Sequence, residues 1–251
     1  MSRPRILTIA GIDPCGGAGL GADARTIHVC GGVAMTVPTA TTVQNRLGFV
    51  RARPIPAVEL SAMLEAVAGD GLPAAAKLGL CADAATVAAV ASWLRGLGAA
   101  APPLVVDPVL SATAGGGPAA AAEVAAALVE QLAGLAAVFT PNLPELELLG
   151  GLDRLRAAGC AAVLVTDGHG DGAEVVDRLV TAAGWAEIRH PRLPSGPVHG
   201  TGCALSAALA TALGRGDPLE RACADAVGQV ARWLAGTAPS TDGRPVPLAV
   251  G

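Results

Sequence analysis

The chain has 251 residues, 52% hydrophobic and 15% charged, with a formal net charge of −4. That size and apolar content suit one large core, more readily one domain than two, and oppose disorder. The negative balance gives no electrostatic footprint for nucleic acid, and three Trp and two Phe with no Tyr give no platform for stacking bases.

In chain order, Ile6–Ala10 is expected as a strand, followed by a glycine loop and a helix near Gly21–Cys30. Val33–Ala40 reads as a second strand, with a Thr-, Pro- and Arg-rich loop before a helix over Ala57–Ala68. A short strand Ala75–Leu78 precedes Ala84–Leu97, whose apolar spacing is helical. Strands Leu104–Asp107 and Ala136–Thr140 bracket a helix Ala119–Leu132. Pro144–Leu149 is expected to be helical from its proline, and Ala161–Thr166 extended. Glu174–Val180 and Trp185–His190 read as an antiparallel pair. Helices Gly202–Leu213 and Leu219–Leu234 follow, with 239–251 as an extended tail.

Repeated strand–helix alternation predicts an α/β fold, with a mostly parallel sheet covered on both faces. No linker or internal repeat divides residues 1–251, so one domain is expected. The six cysteines show no CxxC pair and no zinc spacing, which points to reduced thiols in a cytosol. The first apolar run is too short for a signal peptide. The uncharged stretches Thr26–Asn45 and Leu193–Gly214 are broken by Gly, Pro, Thr or His, so no membrane span is expected. Lys77 is the one lysine beside 16 arginines, and Leu78 follows it, so a P-loop is excluded.

In such sheets the loops at the carboxyl ends of the strands gather the active site. The unusual residues sit there: Asp13, Gln44, Gly79, Asp107, Asn142, Glu145 and Gly168–His169. Gly16-Gly17-Ala18-Gly19-Leu20-Gly21-Ala22 contains a dinucleotide fingerprint, but three residues separate it from the strand. The ribose-binding acid about 20 positions on is also missing. A loop that lets backbone approach a small substrate fits better, and a plain flexible turn is the alternative. Asp23 has two readings: favouring the positive helix end, or accepting hydrogen bonds from a substrate amino group.

The second cluster, Ser195-Gly196-Pro197-Val198-His199-Gly200-Thr201-Gly202-Cys203, opens a helix whose free amides form an anion hole. Such a hole suits a transferring phosphoryl group. Cys203 in the first turn is placed to be a thiolate that accepts a proton from a substrate hydroxyl; simple packing is the alternative. A protease reading with His199 as base lacks an orienting partner. Asp107 ends one strand and Glu145 follows another, and together they match what Mg²⁺ asks of a protein, although each alone would be a routine loop or helix-start acid. Lys77 has two readings, a structural ion pair or the edge of the site. Gln44 can read donor and acceptor edges of a heterocycle, or merely cap a turn.

Together these segments resemble a known family. Ala10-Gly11-Ile12-Asp13-Pro14-Cys15-Gly16-Gly17-Ala18-Gly19-Leu20-Gly21-Ala22-Asp23 looks like the AGxDPSGGAGxxAD opening of the hydroxymethylpyrimidine/phosphomethylpyrimidine kinases of thiamine biosynthesis, in the ribokinase superfamily. Thr42-Val43-Gln44-Asn45, Lys77-Leu78-Gly79-Leu80, Val106-Asp107-Pro108-Val109, Thr140-Pro141-Asn142-Leu143-Pro144-Glu145 and His199-Gly200-Thr201-Gly202-Cys203 follow in the family's order.

The resemblance implies a three-layer α/β/α ribokinase-like fold, a homodimer, Mg²⁺ and ATP. It also implies a small aminopyrimidine substrate, phosphorylated once and then to the diphosphate. Carried over by position, Gly11, Asp23, Gln44, Leu80 and Val109 would bind the pyrimidine. Gly200, Thr201 and Gly202 would form the anion hole, with Cys203 as catalytic base. Asn142, Thr166 and Gly168 would meet the nucleotide phosphates, and Asp107 and Glu145 the Mg²⁺. Leu80 stands where the family has Met, a nearly volume-neutral change. Cys15 stands for Ser, and Ile12 for a small polar residue. Thr166-Asp167-Gly168-His169 stands for Lys-Gly-Gly-His, adding negative charge near the expected phosphate site. With so few aromatics, an aliphatic adenine slot of Ala, Val and Leu from the last helices is expected. A pyridoxal-type kinase, a non-catalytic pyrimidine-binding protein and an oxidoreductase are the rival readings.

Overall fold

Strand β1 (Arg5–Ile12) is buried from Ile6 to Gly11, as a strand with neighbours and helices on both faces must be. The computed structural model describes residues 3–45, 48–110, 117–168, 172–193, 198–238, 240–241 and 244–251. His169, the 195–197 segment and Pro239 of the sequence reading lie outside these. The other strands are β2 (Val33–Asn45), β3 (Gly48–Pro54), β4 (Ala75–Leu78), β5 (Leu104–Val106), β6 (Val138–Phe139), β7 (Ala162–Val165), β8 (Glu174–Thr181) and β9 (Gly184–Pro191). They form one nine-stranded sheet in the order β3-β2-β1-β4-β5-β6-β7-β8-β9. Pairing is parallel from β2 to β7, with antiparallel β3 at one edge and β8–β9 at the other.

The period-two alternation of strands sorts the core into two layers. Leu7, Ile9, Ala76, Leu78, Leu104 and Val106 pack with α2 (Ala57–Gly69), α3 (Ala84–Leu97) and α4 (Pro118–Leu132). Ile6, Ala75, Val105 and Leu164 pack with α1 (Gly19–Val29), α7 (Thr201–Gly214) and α8 (Leu219–Gly236). The short α5 (Leu143–Leu148) and α6 (Gly151–Ala157) lie between β6 and β7 in the chain. This is the three-layer α/β/α arrangement of the ribokinase-like fold.

Several expectations need correction. The Thr-, Pro- and Arg-rich segment after β2 is not all loop. β2 runs on to Asn45, and β3 pairs back along it, with a register break between Val43 and Gln44. Pro54 and the arginines, which lower the strand signal, are tolerated because β3 is an edge. Helix α6 was not expected; Gly150, at φ 88°, turns the chain into it. In the C-terminal stretch, β11 (Val246–Pro247) pairs in parallel with β10 (Val198–His199), and buried Leu248 donates its N–H to the His199 carbonyl at 3.1 Å. None of the six cysteines forms a disulfide. Among the described residues no helix is long and apolar enough to cross a membrane.

Candidate active site

The same alternation that sorts the core builds the floor of the site. Thr8 on β1 and Lys77 on β4 are direct partners in register, on the face that α1 covers. Asp107 lies two residues past Val105, which pairs with Lys77, so it belongs to the same face. Asp23 comes down from α1 to meet them. Lys77 Nζ donates to Asp23 Oδ2 at 2.9 Å and Oδ1 at 3.1 Å, and Thr8 Oγ1 donates to Oδ2 at 2.5 Å. Lys77 Nζ also lies 3.5 Å from Asp107 Oδ2, which accepts from Ser206 Oγ at 3.0 Å. Lys77 and Asp23 are both wholly buried. Burial pulls the Lys77 ammonium down, but the charge of Asp23, then Cys203 and Asp107, outweighs it and holds the group above its ordinary range. Burial pushes the Asp23 carboxyl up, and Lys77 and Thr8 oppose that.

Above this floor the carboxyl ends of the parallel strands open into a cavity of about 250 Å³. Gly11, Gln44, Leu80 and Val109 line it, as do Gly200, Thr201, Gly202 and Cys203. Asp107, Glu145, Asn142 and Thr166 line it too, and Asp13, Lys77 and His199 also reach it. Two expected residues are not on the cavity wall. Asp23 is sealed beneath it with both oxygens taken, so Lys77, not Asp23, borders the cavity. Gly168 is exposed and accepts instead from Arg192 Nη1 at 2.8 Å, because Arg192 spans the carbonyls of Asp167, Gly168 and Gly172.

The two glycine loops meet at the cavity rim. Gly19 has φ +56°, and a Cβ there would stand 2.2 Å from the Gly11 carbonyl. Gly200 has φ +90°, and a Cβ would stand 1.9 Å from the Gly17 carbonyl. Only glycine permits both the conformation and the approach. Asp13 ties the first loop together: its Oδ1 accepts from Cys15 N and its Oδ2 from Ala18 N, each at 2.9 Å.

The expected Cys203 thiolate is corrected. Burial pushes the thiol up to about 12; Lys77 pulls it down, but Asp107 and Asp23 add to the rise, and the Gly19 amide only partly offsets them. The helix end and one ammonium do not outweigh burial and two carboxylates.

Asn142 and Glu145 form a capping box at the start of α5, Asn142 Oδ1 accepting from Glu145 N at 2.9 Å and Glu145 Oε2 from Asn142 N at 3.0 Å. Burial, then the Asp107 charge, pushes the Glu145 carboxyl up to about 8 against the amides of Asn142 and Leu110. Two carboxylates sharing one half-closed cavity are a place where a divalent cation relieves repulsion. Among the described residues no three His, Cys, Asp or Glu side chains form a metal cage. Mg²⁺, which takes one or two carboxylates plus water and phosphate oxygens, needs none.

Without metal, Glu145 makes the stability of the protein depend on pH. A carboxyl raised from 4.5 to about 8 on folding stabilises fully below 4.5 and loses that contribution as pH climbs through about 8. Glu145→Gln, permanently neutral, is expected to match the wild type near pH 4. It should pull ahead in unfolding free energy between there and pH 8, by at most about 1.4 kcal/mol per pH unit, and melt correspondingly higher. Melting in EDTA across that range tests it; a variant less stable at pH 9 would refute the raised carboxyl.

Thr8 and Ser206 carry weight that the sequence does not assign them, and Asp13, expected at the site, gains a specific role in tying the first loop. The i, i+3 spacing of Cys203 and Ser206 on a helix is a signal that could have found Ser206.

Residues 13–244 match the model of the phosphomethylpyrimidine kinase family. The thiamine biosynthesis multifunctional protein ThiED of Corynebacterium efficiens is 38% identical over 248 residues, 93% of this chain but 32% of that protein. The chain thus spans about a third of that relative's length. The hydroxymethylpyrimidine/phosphomethylpyrimidine kinase of Rhizobium meliloti is 38% identical over 226 residues, covering 85% of this chain and 84% of that one. Among solved structures, the ADP complex of Bacillus subtilis pyridoxal kinase superimposes with a TM-score of 0.87 at 26% identity, over 99% of this chain and 98% of that one.

Proposed function

The chain belongs to the phosphomethylpyrimidine kinase family, and on that premise we propose that it transfers the γ-phosphoryl group of ATP to the hydroxymethyl oxygen of 4-amino-5-hydroxymethyl-2-methylpyrimidine, then extends the monophosphate to the diphosphate. One observation carries this: the residues that open α7, Cys203, the carboxyls of Asp107 and Glu145, and Gln44 all line one small cavity. Each is a part that phosphoryl transfer to a heterocyclic alcohol requires, since that reaction asks for positioning and charge stabilisation rather than covalent chemistry.

Gln44 holds the aminopyrimidine, with Gly11, Leu80 and Val109 as walls. The substrate oxygen forms the new P–O bond while the bond to ADP breaks. The hydroxyl proton passes to the Cys203 sulfur; a thiol with so high a pKa reacts through a small ionised fraction, which is a strong base. Gly200, Thr201 and Gly202 present amides to the charge spread over the phosphoryl oxygens. Asn142 and Thr166 meet the nucleotide phosphates. Asp107 and Glu145 would hold Mg²⁺, which when bound neutralises phosphate charge. One kinase domain over 1–251, a homodimeric assembly and a cytoplasmic setting belong to the same proposal. An aliphatic slot for adenine on the last helices does too.

Likeness to a pyridoxal kinase favours a second reading, phosphorylation of a hydroxymethylated pyridine. An ADP-release assay with Mg-ATP separates them, using the pyrimidine, its monophosphate and pyridoxal in parallel. The pyrimidine is expected to turn over at least about tenfold more efficiently than pyridoxal, the scale of one well-placed contact. A preference for pyridoxal, or pyrimidine binding with no ADP release, would overturn the proposal.

A further inference from the structure

We infer that Asp13, through His199, is the positioning residue that locks the two glycine loops into one phosphoryl-holding frame. Asp13 is buried and does three things at once. Its oxygens accept from Cys15 N and Ala18 N, both at 2.9 Å, and Oδ2 also takes His199 Nε2 at 3.3 Å. A carboxylate only accepts, so the ring carries its proton on Nε2 in this bond.

His199 is the residue before Gly200, the N-cap of α7, so the bond reaches across 186 residues to the edge of the anion hole. The frame is held from the other side too. The His199 carbonyl accepts from Leu248 N at 3.1 Å, and His199 pairs with Pro247 in the β10–β11 ladder. Between the loops there is no slack: a Cβ on Gly17 would stand 2.6 Å from His199 Cδ2. The first loop also sends the Gly19 amide to the Cys203 sulfur. Movement of the first loop therefore displaces both the hole and the base.

Asp13 and His199 reach the edge of the same cavity, and the role inferred for Asp13 is to fix the groups that do the chemistry. A misplacement of about 1 Å in such a frame costs on the order of 10²-fold in rate. Given the kinase reading above, on which this depends, Asp13→Asn and His199→Ala are each expected to lower kcat by about 10- to 100-fold. KM for the pyrimidine should stay within about threefold, because Gln44, Leu80 and Val109 do not lean on this bond. His199→Gln, which keeps a donor at similar reach, is expected to recover most of the loss. The double variant Asp13→Asn/His199→Ala should be no slower than the worse single one, because both remove one link.

Steady-state kinetics on all four variants, with thermal midpoints as the control for folding, decide it. Wild-type turnover with His199→Ala at full kcat overturns the inference alone. So do losses that multiply in the double variant, or a loss of His199→Gln as deep as that of His199→Ala. A wild-type protein that releases no ADP overturns the kinase reading and the inference together.

Discussion

Replacing Lys77 by Met is expected to destabilise the protein by about 3–5 kcal/mol, the cost of breaking a buried ion pair from one side. Lys77 is wholly enclosed, and it supplies two of the three hydrogen bonds that Asp23 receives. Met fills a similar volume but leaves that carboxylate with Thr8 as its remaining side-chain donor and with the Asp107 charge nearby. At about 2–4 °C per kcal/mol for a chain of this size, the melting midpoint should fall by about 6–20 °C. The sign of the pH effect is fixed by burial, which already raises the Asp23 carboxyl and is then unopposed by the ammonium. A raised group gives full stability below its unfolded pKa and loses it as pH rises through the folded one. The deficit of Lys77→Met should therefore narrow towards pH 4. Asp23→Asn in the same background removes the stranded charge while keeping an acceptor for Thr8, and should restore at least half of the loss. A single variant melting within about 2 °C of the wild type would show that the pair is not a structural keystone.

Cys203→Ala is expected to lower turnover by about 10²–10⁴-fold, the range for loss of a general base. The side chain is small and opens an α-helix packed against the sheet, so removing one sulfur should leave the fold and both KM values nearly unchanged. The loss should fall on kcat, as for an interaction made only in the transition state. The high thiol pKa does not weaken the expectation. It lowers the ionised fraction, but the thiolate that forms beside Lys77 is correspondingly more basic. Turnover within about fivefold of the wild type would reduce Cys203 to a packing residue.

How much of this was legible differs by kind of residue. The parallel sheet was, because Ile6–Ala10, Ala75–Leu78, Leu104–Asp107 and Ala161–Thr166 are short, largely apolar runs that alternate with helical ones, as a doubly covered sheet requires. So was the gathering of Asp107, Asn142, Glu145 and Gly200–Cys203, since each follows a strand or opens a helix. What a sequence does not carry is register. That Thr8 stands opposite Lys77 is decided by strand pairing, so the two readings of Lys77 stayed open until both turned out true: it is an ion-pair residue and it borders the cavity. Asp23 was misplaced for the same reason. A carboxylate early in a helix looks available to a ligand until a lysine from another strand claims it. The β10–β11 pairing joins two-residue segments nearly fifty positions apart, too short for any periodicity to announce.

The solitary lysine has a practical side. The surface of these 251 residues carries arginines but no ε-amino group, because the one lysine is sealed within β4, between β1 and β5. A protease that cuts only after lysine thus meets a single target, in the middle of the sheet. It can act only on molecules whose central strands have parted. When opening and closing are fast relative to cleavage, the rate of that one cut counts the open population. The chain has, in effect, its own internal gauge of sheet integrity, read from the appearance of two fragments.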